Sequence, residues 1–477
     1  MKSKLLPVLL FLPLFWIGIN NSLDWGDDYA QYLLQARNLI EGRAQTNNDL
    51  VFAEGQLPYA IIAYPVGFPI LLAPVYSFYQ LNIPPFLILN SVFLLLTSLL
   101  LFDYLKRTFD IRTSLLIALF FSYNIISILL KSEILSEFPF TFVLLTIIYL
   151  LKTDHRKSFL WAGILGGILI SIRISGLVLF PAILCWLLIM QRHISIQKRV
   201  LDFGIFFSLA VAVFLLLNTL LFNIEISNFF SFYAGQFESN RMMVPSNFFA
   251  FFEKFSAVFL PNFKSVLITI PVVTVIVAGF FNKLRERQPA EWLFIFYLFL
   301  IAFYPYSSSG LRFIYPVLPF ILIYFVKGFQ IIYRFIFSND RSFTVLTIIM
   351  CCSIIISIKV LNSLPKPDGP YSSDARSVLS YIRKEIPEDA IVLFSRARAM
   401  NLYGERKSTF LIQNKNEEQN FSILKKLNCN YILYADERSG AFNQSLQDFL
   451  IVNQTEFDTI YKVDRYLLLK MKAPSLQ

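Results

Sequence analysis

Runs of Leu, Ile and Phe recur from Leu5 to Leu361 with almost no charge inside them, and this constrains the fold more than any other feature. Hydrophobic residues fill 56% of 477 positions, charged residues 16%, and the mean hydropathy is +0.59, where a soluble domain carries roughly 25% charge. The runs lack the apolar–polar alternation of barrel strands and approach the ~20 residues a helix needs to cross a bilayer. They predict about eleven transmembrane helices, near residues 5–20, 84–104, 113–130, 138–151, 158–172, 175–190, 201–222, 264–281, 290–305, 312–326 and 342–361. The expected division is a membrane domain over 1–361, with a first external loop of about 21–83, and a soluble domain over 362–477.

Charge orients this chain. With a cytoplasmic amino terminus, Lys106, Arg107, Arg156, Lys157, Lys198, Arg199, Lys283, Arg285, Arg287 and Arg334 fall on the cytoplasmic side, and few cations fall opposite; inner-face positive charge is the rule for membrane proteins. The tail from Asn362 holds 16 basic and 14 acidic residues, so the net charge of +10 belongs mainly to the membrane domain and needs no nucleic acid. An odd number of crossings places the first loop and the tail outside the cytoplasm. The four cysteines show no metal-site spacing and predict no disulfide framework.

Asp24-Trp25-Gly26-Asp27-Asp28-Tyr29 follows the first span. Adjacent carboxylates at a membrane boundary need a solvating partner, and so mark a binding or reaction site, although Asp also favours helix starts. Tyr29, Tyr32, Leu33, Ala36, Leu39 and Ile40 predict an amphipathic helix on the membrane surface that stops at Gly42. Its dipole favours Asp27 and Asp28 as anions. Lys131-Ser132-Glu133 and Ser136-Glu137 follow later; four residues apart on a helix, the two glutamates share a face, where with Asp27 they are candidate ligands for Mg²⁺ or Mn²⁺. Whether any metal is required stays open. The cations on the external side, Lys131, Arg173, Arg241 and Arg312, are candidates for a phosphate, which arginine grips with two parallel donors. Arg173 interrupts an otherwise apolar stretch, so it either faces a protein-lined cavity or snorkels.

The order of first span, Asp27-Asp28 with Tyr32 to Gly42, Tyr64-Pro65-Val66-Gly67-Phe68-Pro69, Ser136-Glu137, Arg173-Ile174-Ser175-Gly176-Leu177, Arg312-Phe313-Ile314-Tyr315-Pro316 and Tyr403-Gly404-Glu405-Arg406 resembles GT-C-fold glycosyltransferases that use polyprenyl-phosphate sugars. That superfamily includes protein O-mannosyltransferases and lipid A aminoarabinose transferases. The resemblance implies a GT-C-like fold and an enzyme, a hexosyl- or pentosyltransferase, moving a monosaccharide from a polyprenyl-phosphate carrier to a glycan, lipid or protein acceptor. It also implies an acidic residue of the first loop as the catalytic base, Asp28 in preference to Asp27, with Glu137 at a second acidic position. Tyr32, Tyr64 and Tyr315 are candidates for the sugar pocket. The expected location is the cytoplasmic (inner) membrane of a bacterium, with the site and the tail outside. The chemistry suits a carboxylate base, because the only two histidines, His155 and His193, lie in cytoplasmic loops. A flippase for a lipid-linked sugar, or a non-catalytic scaffold of the same fold, is the alternative; the internal repeats expected of a transporter are not evident in the sequence.

The tail after Pro365, Pro367, Gly369 and Pro370 reads as a small α/β domain: helices over 373–384 and 417–427, and β-prone runs at 390–394, 431–434 and 466–469.

Overall fold

The computed structural model describes the chain except for residues 1, 53–61, 153–155, 241–249, 251–253, 260–265, 304–309, 338–340, 413–414 and 473–477. The chain forms two units that do not follow chain order. Met1–Ile19, Phe86–Leu221 and Gln236–Leu364 make the first; Asn20–Pro85, Phe222–Gly235 and Pro365–Gln477 make the second.

The first unit is helical. Among the described residues, Pro84–Leu105, Ile196–Leu220, Leu267–Leu284, Leu311–Ile336 and Ser342–Ser363 are long and apolar enough to cross a bilayer, and Ile111–Tyr123 with Ile125–Lys131 form a sixth, bent by 44°. Shorter apolar helices occupy Glu137–Leu151, Lys157–Ile172, Ile174–Met190 and Pro289–Ala302. The bend has a local cause in Asn124. Its side-chain oxygen accepts from the N–H groups of Ile126 and Ser127 at 2.9 and 3.2 Å, while its amide donates to the Phe120 and Phe121 carbonyls at 3.0 and 2.6 Å. One buried amide thus ends one helix and caps the next, leaving few backbone groups unsatisfied in an apolar setting. Elsewhere two helices cross at paired glycines. A methyl at Gly279 would overlap the Tyr324 carbonyl oxygen and lie 2.8 Å from Gly328 N, so the backbones approach as small residues allow in membranes.

The second unit is built around a five-stranded sheet of β1 (Ile391–Phe394), β2 (Lys407–Thr409), β3 (Tyr431–Ala435), β4 (Phe457–Val463) and β5 (Tyr466–Met471), in the order β2-β1-β3-β5-β4. β1 runs parallel to β2 and β3; β5 runs antiparallel to β3 and β4. Leu393, Cys429, Ile432 and Leu469 pack with Leu424, Leu446 and Phe449 of the helices Glu417–Lys426 and Gln444–Val452 to make the core on one side. The first loop joins this unit through strand pairing and aromatic packing. Leu50 bridges Ser408 in parallel, and the Trp25 indole N–H donates to the Tyr466 hydroxyl at 2.9 Å.

The expected surface helix spans Asp27–Glu41 and ends where Gly42 takes a left-handed φ of 66°. It is not half-exposed, however. Tyr29 through Ala36 are all buried, including Gln31 and Gln35 on what the pattern reads as the polar face. Gln31, Gln35 and Asn38 find carbonyl partners in the rest of the loop, at Ile62, Tyr64, Ala44 and Asn47.

Candidate functional site

Two polar clusters hold most of the residues singled out in the sequence, one in each unit. In the second unit, Asp27 and Asp28 open the helix Asp27–Glu41, with Gly26 as a cap lacking a side chain. The Asp28 carboxylate accepts from the Tyr64 hydroxyl at 2.5 Å. The Tyr64 hydroxyl accepts in turn from Arg398 Nη1 at 2.8 Å, and that guanidinium also lies 5.0 Å from the centre of the Tyr64 ring. The main-chain N–H of Arg398 donates to Asp27 at 3.1 Å. Burial pushes the Asp27 carboxyl above the usual carboxylate range, against the pull of Arg398 and Arg396, with the neighbouring Asp28 adding to the rise. Burial likewise raises the Tyr64 phenol, so it serves as a neutral donor. The Tyr32 ring packs 5.0 Å from Tyr64 and 4.8 Å from Phe68. The pattern Tyr64-Pro65-Val66-Gly67-Phe68 thereby returns to the first two turns of the helix.

In the first unit, Glu137 starts the helix Glu137–Leu151, and its side chain is fully buried. Its carboxylate accepts from Arg173 Nη1 at 2.7 Å and from Arg312 Nε. Arg173 also donates to the Ser136 hydroxyl at 3.0 Å, and Ser136 makes no side-chain cap on the helix it precedes. Arg173 sits in extended backbone between Arg156–Ile172 and the turn Ile174–Val178, whereas Arg312 lies in the short helix Gly310–Ile314. Three separate elements therefore bring two guanidinium groups to one carboxylate, a cluster of net positive charge suited to an anion. Tyr315 is fully buried, its ring 4.9 Å from Phe138 and 5.7 Å from Phe121.

Other expected residues go elsewhere. Lys131 is buried and its ammonium donates to Ser91 Oγ at 3.2 Å. Glu133 and Glu137 do not share a helical face. The helix Ile125–Lys131 ends at Ser132, and the chain turns before Glu137 begins the next, which leaves Glu133 exposed and Glu137 buried. Arg241 lies outside the described residues. Among the described residues no three His, Cys, Asp or Glu side chains group as a metal site requires. Glu137 is already bound by two guanidinium groups, and Asp27 by Arg398. No step below passes through a metal.

Arg398 was not among the sequence candidates. Its signal is faint: Arg396 and Arg398 follow a β-prone run directly, at the carboxyl end of a strand where α/β domains place binding groups.

Residues 65–217 match the family described as dolichyl-phosphate-mannose-protein mannosyltransferase. No curated protein sequence matches the chain. Among solved structures, the Archaeoglobus fulgidus oligosaccharyltransferase AglB, in complex with an inhibitory peptide and a dolichol-phosphate, superposes with a TM-score of 0.62 at 11% identity, over 91% of this chain and 69% of that one. ArnT from Cupriavidus metallidurans, bound to undecaprenyl phosphate, gives a TM-score of 0.55 at 12% identity over 98% of both chains. The chain therefore shares the GT-C fold of these solved membrane proteins.

Proposed function

We propose that this protein is a glycosyltransferase that moves a monosaccharide, a hexose or a pentose, from a polyprenyl-phosphate carrier to an acceptor hydroxyl on the extracytoplasmic face of a bacterial inner membrane. The observation that carries this reading is the carboxylate pair at the start of Asp27–Glu41, gripped by Tyr64 and Arg398. In the reaction, Asp28 takes the proton of the acceptor hydroxyl as its oxygen attacks the anomeric carbon of the sugar. The bond from that carbon to the phosphate oxygen breaks, and polyprenyl phosphate leaves with the electron pair. Asp27, bonded by the main-chain N–H of Arg398, is assigned to holding the acceptor. Tyr32 and Tyr64 offer ring faces for the sugar, and Tyr315 is kept as a third candidate.

The leaving phosphate needs fixed positive charge. Arg173 and Arg312, held by Glu137, suit it best; Lys131 and Arg241 are secondary candidates. In this reading Glu137 acts by orienting the two arginines. The family match over residues 65–217 and the structural likeness to proteins solved with dolichol-phosphate and undecaprenyl phosphate support the class of carrier. The proposed topology has about eleven crossings, counting the shorter apolar helices and the amino-terminal one, with Gly67–Tyr79 lying at the membrane surface.

Purified protein in lipid nanodiscs, given radiolabelled polyprenyl-phosphate sugars and an extracted envelope fraction as acceptor pool, should transfer label. Asp28→Asn should abolish transfer while leaving yield and thermal unfolding unchanged. Near wild-type transfer by both Asp28→Asn and Asp27→Asn would overturn the assignment of the base. A reporter fused after Gln477 should be active only outside the cytoplasm, and one after Arg287 only inside; cytoplasmic activity after Gln477 would refute the topology.

A further inference from the structure

Within the second unit, the carboxy-terminal segment reaches the carboxylate pair of the first loop. The Tyr64 hydroxyl stands between two groups from distant parts of the chain, donating to Asp28 and accepting from Arg398. A phenol whose oxygen already accepts from a cation donates more strongly, because each bond polarises the next. Arg398 is 8% exposed, so little water competes for it. Its main-chain N–H fixes the position of the residue against Asp27.

Tyr64 is also held at its backbone. Gln35, two turns along the helix from Asp28, accepts from the Tyr64 N–H and donates to the Tyr64 carbonyl, both at 2.9 Å. One amide thus clamps both main-chain groups of a single residue, and the helix that carries Asp28 also carries the clamp. With the backbone set by Gln35 and the hydroxyl set by Arg398, the Tyr64 bond to Asp28 can point only one way.

We propose that Arg398 is a positioning residue for the transfer reaction: acting through the Tyr64 hydroxyl, it fixes the orientation of the Asp28 carboxylate that receives the acceptor proton. This rests on the reading of Asp28 as the base. It assigns the carboxy-terminal segment a part in the chemistry, and predicts that Arg398 and Tyr64 act as one device.

A double-mutant cycle on the full chain in nanodiscs tests it, using a panel of polyprenyl-phosphate hexoses and pentoses with the extracted envelope fraction. Tyr64→Phe and Arg398→Gln should each lower kcat about 10- to 100-fold, the range of a misplaced base, with donor KM within about threefold. The double variant should lose no more than Tyr64→Phe alone, since residues acting as a unit are non-additive. Arg398→Lys, which keeps a cationic donor, should recover about tenfold over Arg398→Gln. Losses that multiply in the double variant, or an Arg398→Gln effect confined to KM, would overturn the inference. Thermal unfolding accompanies each variant. If Arg398→Gln does not fold, a folded Arg398→Lys as inactive as Tyr64→Phe is the overturning result. A wild-type protein that uses none of the donors, or an active Asp28→Asn, removes the functional reading and this inference with it. An inactive Asp28→Asn beside multiplying losses removes this inference alone.

Discussion

Glu137→Gln keeps the size of the side chain and an acceptor oxygen but deletes the charge that two arginines share. The carboxylate is fully buried, and the Arg173 and Arg312 side chains are 15% and 20% exposed. At an effective dielectric of about 20, a pair of charges ~4 Å apart is worth ~4 kcal/mol. Most of that offsets desolvation, and the guanidinium groups repel one another. The measurable quantity is the cost of stranding them, about 3–5 kcal/mol for one lost partner of a buried pair. Because each arginine retains some access to solvent, the lower end applies, about 3 kcal/mol. At ~1–2 °C per kcal/mol for a chain of this length, the apparent midpoint should fall by about 3–6 °C. Thermal unfolding in nanodiscs at a fixed scan rate, followed by tryptophan fluorescence, reads this directly. The sign of a second variant is more diagnostic. Glu137→Gln with Arg312→Gln should be more stable than Glu137→Gln alone, because removing one cation relieves the other. A single variant within about 1 °C of wild type, or a double variant less stable than the single, would refute the view of Glu137 as the counter-ion of the pair.

Gly279→Ala should cost about 3 kcal/mol, since its methyl has no room beside Tyr324 and Gly328; unchanged unfolding would refute the close crossing. Arg465 donates to both carboxylate oxygens of Asp374, at 2.6 and 2.7 Å, and holds this carboxyl well below the usual range. With the folded pKa depressed, the pair stabilises above the unfolded value of about 3.9 and fades as pH falls through the folded one. Asp374→Asn should therefore lower the midpoint at pH 7 and flatten its decline below about pH 4; an equally steep acid decline in the variant would refute the assignment. Burial pushes the Cys429 thiol up to about 12, so maleimide should label it at pH 7.5 only after denaturation, and labelling of Cys429 itself in the native chain, located by peptide mapping because Cys351 and Cys352 are exposed, would refute its place in the core.

What the sequence determined was local. Helices cover the long apolar runs because hydropathy and the 3.6-residue period are properties of neighbouring residues. The start at Asp27, the stop at Gly42, and strands β1, β3 and β5 of the tail were legible for the same reason. β2 and the helix Gln444–Val452 were not; three residues carry too little periodicity, and the helix begins in polar Asn443-Gln444-Ser445. Tertiary structure decided what local pattern does not encode. Glu133 and Glu137 read as one face because spacing alone assumes an unbroken helix, and the turn after Lys131 breaks it. Gln31 and Gln35 read as a solvated face, yet the folded loop supplies buried carbonyls that satisfy them. Arg398 joins Asp27 across 371 positions of chain. No spacing rule relates residues so far apart, because their meeting depends on how a strand end in the tail packs against a helix in the first loop.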